Sequence, residues 1–366
     1  MIWTEENVGR IITDLAAHIL RSQHRNLVES ARRPVHLDKD WGLDSVQRME
    51  LAAYVNEFFG LFDASADHYL LADAILDNWV ARVLRARAET NETLVFFTSG
   101  STGTPRRITH SLAFLRREAE WLAELLPPPR QVVTLVGSHH IYGFLFTVLL
   151  PALWQVPVVR GKGLDPLTLG EGALVIGTPF HWQYVHRSLA GRLPNGCRGV
   201  SSGAPLPSAL FDELAGAGLD LTEIYGSTET AGLAYRQRPG DAFTLYPYLE
   251  PGPDGRSVRR SDHPEFLVLP DAIEWLPNRQ LRVLGRLDGA VSIAGVNVYP
   301  AYVQRVLEGS PFVETCDVFA KKVEGEVRLF GTIKLRHLSD DTRQACTDWM
   351  RQRLTAPEIP RELYFY

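Results

Sequence analysis

The amino-acid sequence predicts an α/β protein in three parts: a helical segment over residues 1–90, a central α/β unit over 91–287 built on a mainly parallel sheet, and a small α+β unit over 288–366. Three observations predict it. Apolar residues recur at helical spacing before Leu94, where no strand pattern occurs. Short β-prone runs then alternate with helical patterns, which argues for helices packed on the faces of a sheet. A second, smaller strand-helix-strand pattern begins after Asp288.

In the first part Val8, Ile11, Ile12, Leu15, Ile19 and Leu20 fall on one side of a helix. A second helix starts near Ser45, with Met49, Leu51, Ala52, Val55 and Phe58-Phe59 on its apolar side, and a third covers about 74–88 with Ile75, Trp79, Val80, Val83 and Leu84. The central part opens with a strand over 93–97 that breaks into a Ser/Thr/Gly loop, and strand-like runs recur at 131–136, 156–159, 173–177 and 221–224. Helical patterns at 111–126 and 206–215 sit between them. The stretch from Pro247 to Asp262, rich in Pro, Gly and Asp, reads as a loop. The last part reads as a strand near 291–298, a helix over about 300–307, and strands near 314–321 and 327–335.

Composition excludes several classes. Hydrophobic residues at 45% and charged residues at 22% are those of a soluble globular protein. With 38 Lys+Arg against 43 Asp+Glu the net charge of −5 favours neither nucleic acid nor an anionic membrane as partner. Cys197, Cys316 and Cys346 are far apart and form no metal-ligand spacing, so free buried thiols in a reducing compartment are expected. The N-terminus lacks the basic start and apolar core of a secretion signal, and a cytoplasmic location is expected. Ile141 to Val159 carries no charge and is long enough to span a bilayer. Gly143, Pro151, Gln155 and Pro157 interrupt it, so a buried helix running into a buried strand is the expectation, with no membrane span.

Two short motifs carry chemistry. Thr98-Ser99-Gly100-Ser101-Thr102-Gly103-Thr104-Pro105-Arg106-Arg107 follows a strand directly, and its hydroxyls, glycines and backbone N–H groups suit a polyphosphate, although the Walker pattern is absent. Taken alone, a solvent loop of the same composition is the competing reading. Tyr225-Gly226-Ser227-Thr228-Glu229 places an aromatic ring, hydroxyls and a carboxylate in one turn, able to stack a base, touch a phosphate and bind Mg²⁺, or simply to end a strand with a surface Glu.

The order of the pieces resembles a known family. The run from Thr98 to Arg107 looks like the phosphate-loop motif of the superfamily of acyl-CoA synthetases, peptide-synthetase adenylation domains and luciferases. Tyr225 to Glu229 resembles its Tyr-Gly-x-Thr-Glu motif and Gly285-Arg286-Leu287-Asp288 its domain-hinge motif, with His140-Ile141-Tyr142-Gly143 and Ser202-Gly203-Ala204-Pro205-Leu206-Pro207 in the expected places between. The likeness covers about Leu94 to Tyr366 and makes the central unit an adenylation core. It implies ATP as co-substrate: Thr98, Ser99, Gly100, Ser101, Thr102 and Gly103 around the β/γ-phosphates, Thr228 at the α-phosphate, and Glu229 as the Mg²⁺ ligand. Tyr225 would stack on adenine opposite Gly203, Ala204 and Pro205, Asp271 would take the ribose hydroxyls, and Arg286 would join that contact. Asp288 would be the hinge of the small C-terminal domain. His140, Tyr142, Ser202 and Gly226 would line the acid pocket, with His139, Phe144, Trp182, Ser201 and Leu233 nearby. Such a lining, aromatic and nearly uncharged, suits a flat or apolar acid better than a free amino acid.

Two departures from the family stand out. Trp41-Gly42-Leu43-Asp44-Ser45-Val46 and the residues after it resemble an acyl carrier protein at its attachment site, so Ser45 is a candidate for phosphopantetheine. A cap formed by Asp44 or Ser45, and a carrier-like bundle kept as scaffold, are the readings beside it. At the other end, the family's adenylating Lys lies in a Pro-x-x-x-x-Gly-Lys segment after the last strand, a position that Lys321, Lys322 and Lys334 do not hold; poor adenylation or a truncated sequence would follow. The resemblance implies a ligase that activates a carboxylic acid and passes it to an acyl carrier protein or CoA. It extends to the short aryl-acid ligases of bacterial aryl-polyene pathways, which would make the acid 4-hydroxybenzoate or a relative. The alternative is a nucleotide- or acyl-binding scaffold or carrier-docking protein that does not adenylate.

Overall fold

A computed structural model of the chain describes residues 2–20, 27, 34–61, 69–90, 92–98, 106–161, 169–189, 193–260, 265–293, 296–323 and 326–366. Helices α1 (Glu5–Leu20), α2 (Ser45–Phe58) and α3 (Leu76–Glu89) form the N-terminal segment, and α1 packs on both of the others. The apolar faces expected from the sequence are the buried ones: Val8, Ile11, Ile12 and Leu15 on α1, Leu51, Val55 and Phe58 on α2, Trp79 and Val83 on α3. Helix α2 begins at a capping box, in which the Asp44 carboxylate accepts from Gln47 N at 2.8 Å and the Gln47 side chain accepts from Asp44 N at 3.1 Å.

Strand β1 (Thr93–Thr98) pairs only with β2 (Arg106–Ser111), antiparallel, so the strand before the hydroxyl-rich loop belongs to a hairpin rather than to the main sheet. Helix α4 (Leu112–Leu125) follows. The main sheet contains β3 (Gln131–Thr134), β4 (Val158–Arg160), β5 (Ala173–Gly177), β6 (Arg198–Ser201), β7 (Asp220–Ser227), β8 (Ala231–Arg236), β9 (Phe243–Leu245), β13 (Asp271–Leu276) and β14 (Gln280–Arg286). Its order is β13-β14-β9-β8-β7-β6-β5-β3-β4. Pairing is parallel from β4 to β7 and antiparallel from β7 to β13, so the sheet is mixed, with its parallel half where strands and helices alternate.

Residues 141–154 form one buried helix, α5, that leads into β4, as their uncharged run suggested. Its middle turn, Leu145–Leu149, is a π-turn, and Gln155 ends it in the left-handed region (φ 57°). Among the described residues no helix is long and apolar enough to cross a membrane. Helix α6 (Pro179–Leu189) and helix α7 (Ser208–Gly216) cover the opposite face. The stretch expected as a loop between Pro247 and Asp262 instead holds β10 (Leu249–Pro251) and β11 (Ser257–Arg260), which pair with β12 (Phe266–Val268) in a small antiparallel sheet. Composition misleads there because a turn through Gly255 (φ 66°) sets short strands in register, and pairing overrides local propensity. The C-terminal part holds a β15 (Val291–Ile293) and β16 (Val296–Val298) hairpin, helix α8 (Pro300–Glu308), β17 (Val313–Val323) antiparallel to β18 (Glu326–Leu335), helix α9 (Asp340–Arg353), and β19 (Glu362–Phe365) parallel to β18.

The N-terminal helices share one hydrophobic core with α4, α5 and the α5-facing side of the main sheet. Trp3 meets Phe59 at 5.3 Å and Phe144 of α5 at 5.8 Å between ring centroids. A polar tie reinforces this seam. Asp14 of α1, fully buried, sits 2.7 Å from Arg160 of β4 and accepts from Ser138 N at 2.7 Å, while Arg10 donates to Thr147 O at 2.7 Å. Removing one member of a buried ion pair strands the other. Asp14→Ala is expected to lower the unfolding free energy by about 3 kcal/mol in urea melts at constant m-value; a loss within experimental error would mean that the pair does not hold α1 in place.

Candidate active site

In open sheets with parallel strands, ligands bind beyond the carboxyl ends of those strands. Here those ends carry predicted residues: the segment to His140 after β3, Ser201 and Ser202 at the end of β6, and Tyr225-Gly226-Ser227 of β7. Of the expected phosphate loop, Thr98 closes β1, and Ser99, Gly100, Ser101, Thr102 and Gly103 lie outside the described residues.

The turn from β7 to β8 is tightly held. Ser227 N donates to Thr230 Oγ1 at 3.2 Å, the two hydroxyls are 3.0 Å apart, and Ala231 takes φ 59°, a conformation that costs a non-glycine residue energy and that packing must sustain. A Cβ on Gly226 would stand 2.2 Å from Ala231 O, so glycine is required at that position. From β2, His110 Nε2–H donates to Thr228 O at 2.6 Å. Burial lowers the His110 pKa, and because Thr228 O can only accept, Nε2 carries the proton of this bond. His110 was not anticipated from the sequence, and its bond fixes the backbone between Thr228 and Glu229.

Across the sheet, Tyr225 Oη donates to Asp271 Oδ2 at 2.9 Å. Burial raises the pKa of both groups. Asp271 pairs in register with Arg286, whose guanidinium grips Asp288 at 3.0 Å through Nε and 2.5 Å through a terminal nitrogen. Burial opposes the Arg286 charge, but the bond to Asp288 and the field of Asp271 outweigh it, and the same bond helps hold Asp288 below its ordinary pKa. Tyr299 Oη donates to Asp288 at 3.1 Å, and Ser292 Oγ donates to Gly203 O at 2.9 Å. These contacts bring the C-terminal part against the 202–207 loop. Leu206 N anchors that loop on the buried Glu223 at 2.9 Å, and Glu223 meets Arg236 at 2.6 Å.

Tyr225, Asp271, Arg286 and Asp288 are therefore joined by a short run of contacts, with Thr228 and Glu229 on the turn beside Tyr225, and Gly203 is tied separately to the C-terminal part through Ser292. The Tyr142 hydroxyl is shared between Gly177 O at 3.0 Å and Val200 O at 2.9 Å, tying α5 to the ends of β5 and β6. His140 is exposed and its ring lies 3.9 Å from that of His139. Phe144 faces Trp3, Phe58 and Phe96 in the core, and Trp182 packs beneath the sheet with Val175 and Leu221. Ser45 stands exposed at the first turn of α2, away from this constellation. Among the described residues no group of three or more His, Cys, Asp or Glu could hold a metal. A single carboxylate, Glu229, on the turn would suit Mg²⁺ only if nucleotide phosphates supplied its other oxygen ligands.

A further group escaped the sequence. Glu118 on α4 is fully buried, and its Oε1 accepts from Gly232 N on β8 at 2.9 Å. Its signal was a charge inside an apolar helical stripe, four residues after Phe114 and four before Leu122.

Residues 2–252 match the family model described as AMP-binding enzyme, and the chain belongs to that family. In class it is an AMP-forming acid–thiol ligase. It is 40% identical to the 4-coumarate–CoA ligase of Rhodobacter capsulatus over 83% of this chain and 82% of that protein. The 4-coumarate–CoA ligase of Halorhodospira halophila is 34% identical, over 87% of this chain and 83% of its own. The fold resembles that of the amide bond synthetase McbA from Marinactinospora thermotolerans, with a TM-score of 0.67 at 16% identity, over 98% of this chain and 90% of that one. The family match includes helices α1, α2 and α3.

Burial pushes the Glu118 carboxyl up to about 8, against which the Gly232 hydrogen bond pulls weakly. The unfolded chain releases that proton near the ordinary 4.5, whereas the folded protein keeps it until about pH 8. Glu118 therefore makes stability fall as pH rises through this window, with a slope approaching about 1.4 kcal/mol per pH unit. Urea melts from pH 5 to 8.5 are expected to show Glu118→Gln reducing that slope by one proton's worth; an unchanged slope would mean that Glu118 ionises normally.

Proposed function

We propose that the chain activates an aromatic carboxylic acid with ATP and passes the acyl group to the thiol of CoA. The observation that carries this reading is the linked set of Tyr225, Asp271, Arg286 and Asp288 beside the Thr228-Glu229 turn, at the carboxyl ends of the parallel strands. Adenine stacks on Tyr225 against Gly203, Ala204 and Pro205, and Asp271 takes the ribose hydroxyls in place of the Tyr225 bond. Thr98 and the loop 99–103 hold the β- and γ-phosphates, and Thr228 meets the α-phosphate. Glu229 would hold Mg²⁺, which would supply neutralisation of phosphate charge.

In the first half-reaction a carboxylate oxygen forms a bond to the α-phosphorus as the bond to the bridging oxygen breaks and pyrophosphate leaves. In the second, the thiolate sulfur bonds to the acyl carbon and AMP departs. The protein's part is positioning and charge compensation, with no covalent enzyme intermediate. His110 keeps Thr228 in place, Ser202 and Gly226 border the acid, and Asp288 is the hinge on which the C-terminal part turns between the two steps. The names of the relatives favour CoA as acceptor and a phenolic acid such as 4-coumarate; 4-hydroxybenzoate is the related acid that the aryl-polyene resemblance suggests. Helices α1 to α3 serve as scaffold for the large domain: their core is continuous with α4 and α5, and Asp44 is spent on a cap. Phosphopantetheine on Ser45 is then not required, and a carrier protein takes CoA's place only if the pantetheine arm alone is recognised.

ATP–pyrophosphate exchange with a panel of benzoates, cinnamates and fatty acids tests the first half-reaction, and thioester formation with CoA or a phosphopantetheinylated carrier tests the second. Exchange with aromatic acids and thioester on CoA are expected. No exchange with any acid would overturn the proposal, and thioester formed only on the carrier would move the acceptor from CoA to a carrier protein.

A further inference from the structure

The acid pocket as drawn above has walls but no assigned far end. Gly226 and Gly232 are register partners on β7 and β8, so what projects from them faces the same side of the sheet, the side covered by α4 and α5. Both positions exclude a side chain. A Cβ at Gly232 would stand 2.3 Å from Glu118 Oε1 and 2.7 Å from Tyr246 Oη, so these two oxygens converge on its α-carbon. Tyr248 lies alongside, its ring centroid 5.8 Å from that of Tyr246.

This cluster is buried and incompletely paired. Glu118 and Tyr246 are wholly inaccessible and Tyr248 is 7% exposed, yet Glu118 Oε2, Tyr246 Oη and Tyr248 Oη have no hydrogen-bond partner. Leaving one such atom unpaired costs about 1–3 kcal/mol, so three together call for an account. Glu118 and Tyr142 both lie close enough to Tyr246 to oppose its ionisation, which places the cluster next to the α5 wall of the pocket. Just past Tyr142, α5 is widened by the π-turn Leu145–Leu149, with the Phe146 ring 5.2 Å from that of Tyr142. Such turns recur at functional sites because they re-aim side chains.

We propose that Glu118, with Tyr246 and Tyr248, forms the polar end of the acid pocket and binds the ring hydroxyl of a phenolic acid. Held neutral by burial, the Glu118 carboxyl donates through its Oε2 proton or accepts at Oε2, and the tyrosine hydroxyls complete the set. An acid without the hydroxyl leaves these atoms unpaired, so discrimination is strong, as in other sites built to bind a hydroxyl. The inference rests on the ligase reading, which supplies the acid and its orientation.

The test is the ratio of kcat/KM for 4-hydroxycinnamate over cinnamate, measured by pyrophosphate exchange in the wild type, Glu118→Gln, Glu118→Leu and Tyr248→Phe. The wild type is expected to favour the hydroxylated acid by at least about 100-fold. Glu118→Gln keeps most of that ratio, because an amide still donates and accepts. Glu118→Leu lowers it by about 10-fold or more, and Tyr248→Phe lowers it several-fold and decides the matter where the leucine variant does not fold. A wild-type ratio near one, or a ratio unchanged in a folded Glu118→Leu or Tyr248→Phe protein, overturns the proposal while leaving the ligase intact. Failure of every acid in the wild type instead overturns the ligase reading, and calorimetric titration with the two acids then tests the hydroxyl site directly, equal affinities contradicting it.

Discussion

The site depends on the reversal between β7 and β8, where the parallel half of the sheet gives way to the antiparallel half. A left-handed Ala231, a side-chain-free Gly226 and the Thr230 hydroxyl close this turn, and His110 pins its carbonyl from a hairpin outside the sheet. A turn so constrained keeps the Tyr225 ring, the Thr228 hydroxyl and the Glu229 carboxylate in fixed relation, which is what a reaction driven by positioning requires. The cost of the strained backbone is borne by the core on either side, from Ile224 to Leu233 and Ala234.

Buried acidic side chains link the elements that surround this turn. Asp14 joins the first helix to the segment that carries the histidines, Glu223 fastens the 202–207 loop, and Glu118 ties α4 to β8. Each carboxyl group accepts a backbone N–H, an arrangement that fixes geometry more than it adds net stability. In contrast, the Arg286–Asp288 pair is partly open to solvent and lies between the large sheet and the C-terminal part. A contact there can be exchanged for a ligand contact at small cost, which suits the hinge proposed at Asp288.

Much of this was legible in the sequence, for reasons that also explain what was not. The helices α1 to α3, the alternation from β3 to α7, and the motifs at 98–107 and 225–229 are local: period, composition and contiguous residue types announce them. The supports of the site are pairings between distant segments. His110 and Thr228 are 118 residues apart, Glu118 and Gly232 are 114 apart, and Asp14 and Ser138 are 124 apart, so no window of sequence contains both partners. The strands β10 and β11 were missed because three or four residues among Pro and Gly carry no periodic signal, and only their pairing defines them. The carrier-like residues around Ser45 are legible as a motif, and the structure gives them a local use as a helix start.

The central claim is that a carboxylate of the acid attacks the α-phosphorus of ATP at this site. Incubating the enzyme with ATP, CoA and an aromatic acid labelled with oxygen-18 in its carboxylate, then weighing the nucleotide product by mass spectrometry, tests it most directly. AMP carrying one labelled oxygen for each thioester formed is the expected product. Unlabelled AMP, or ADP as the product, would contradict it.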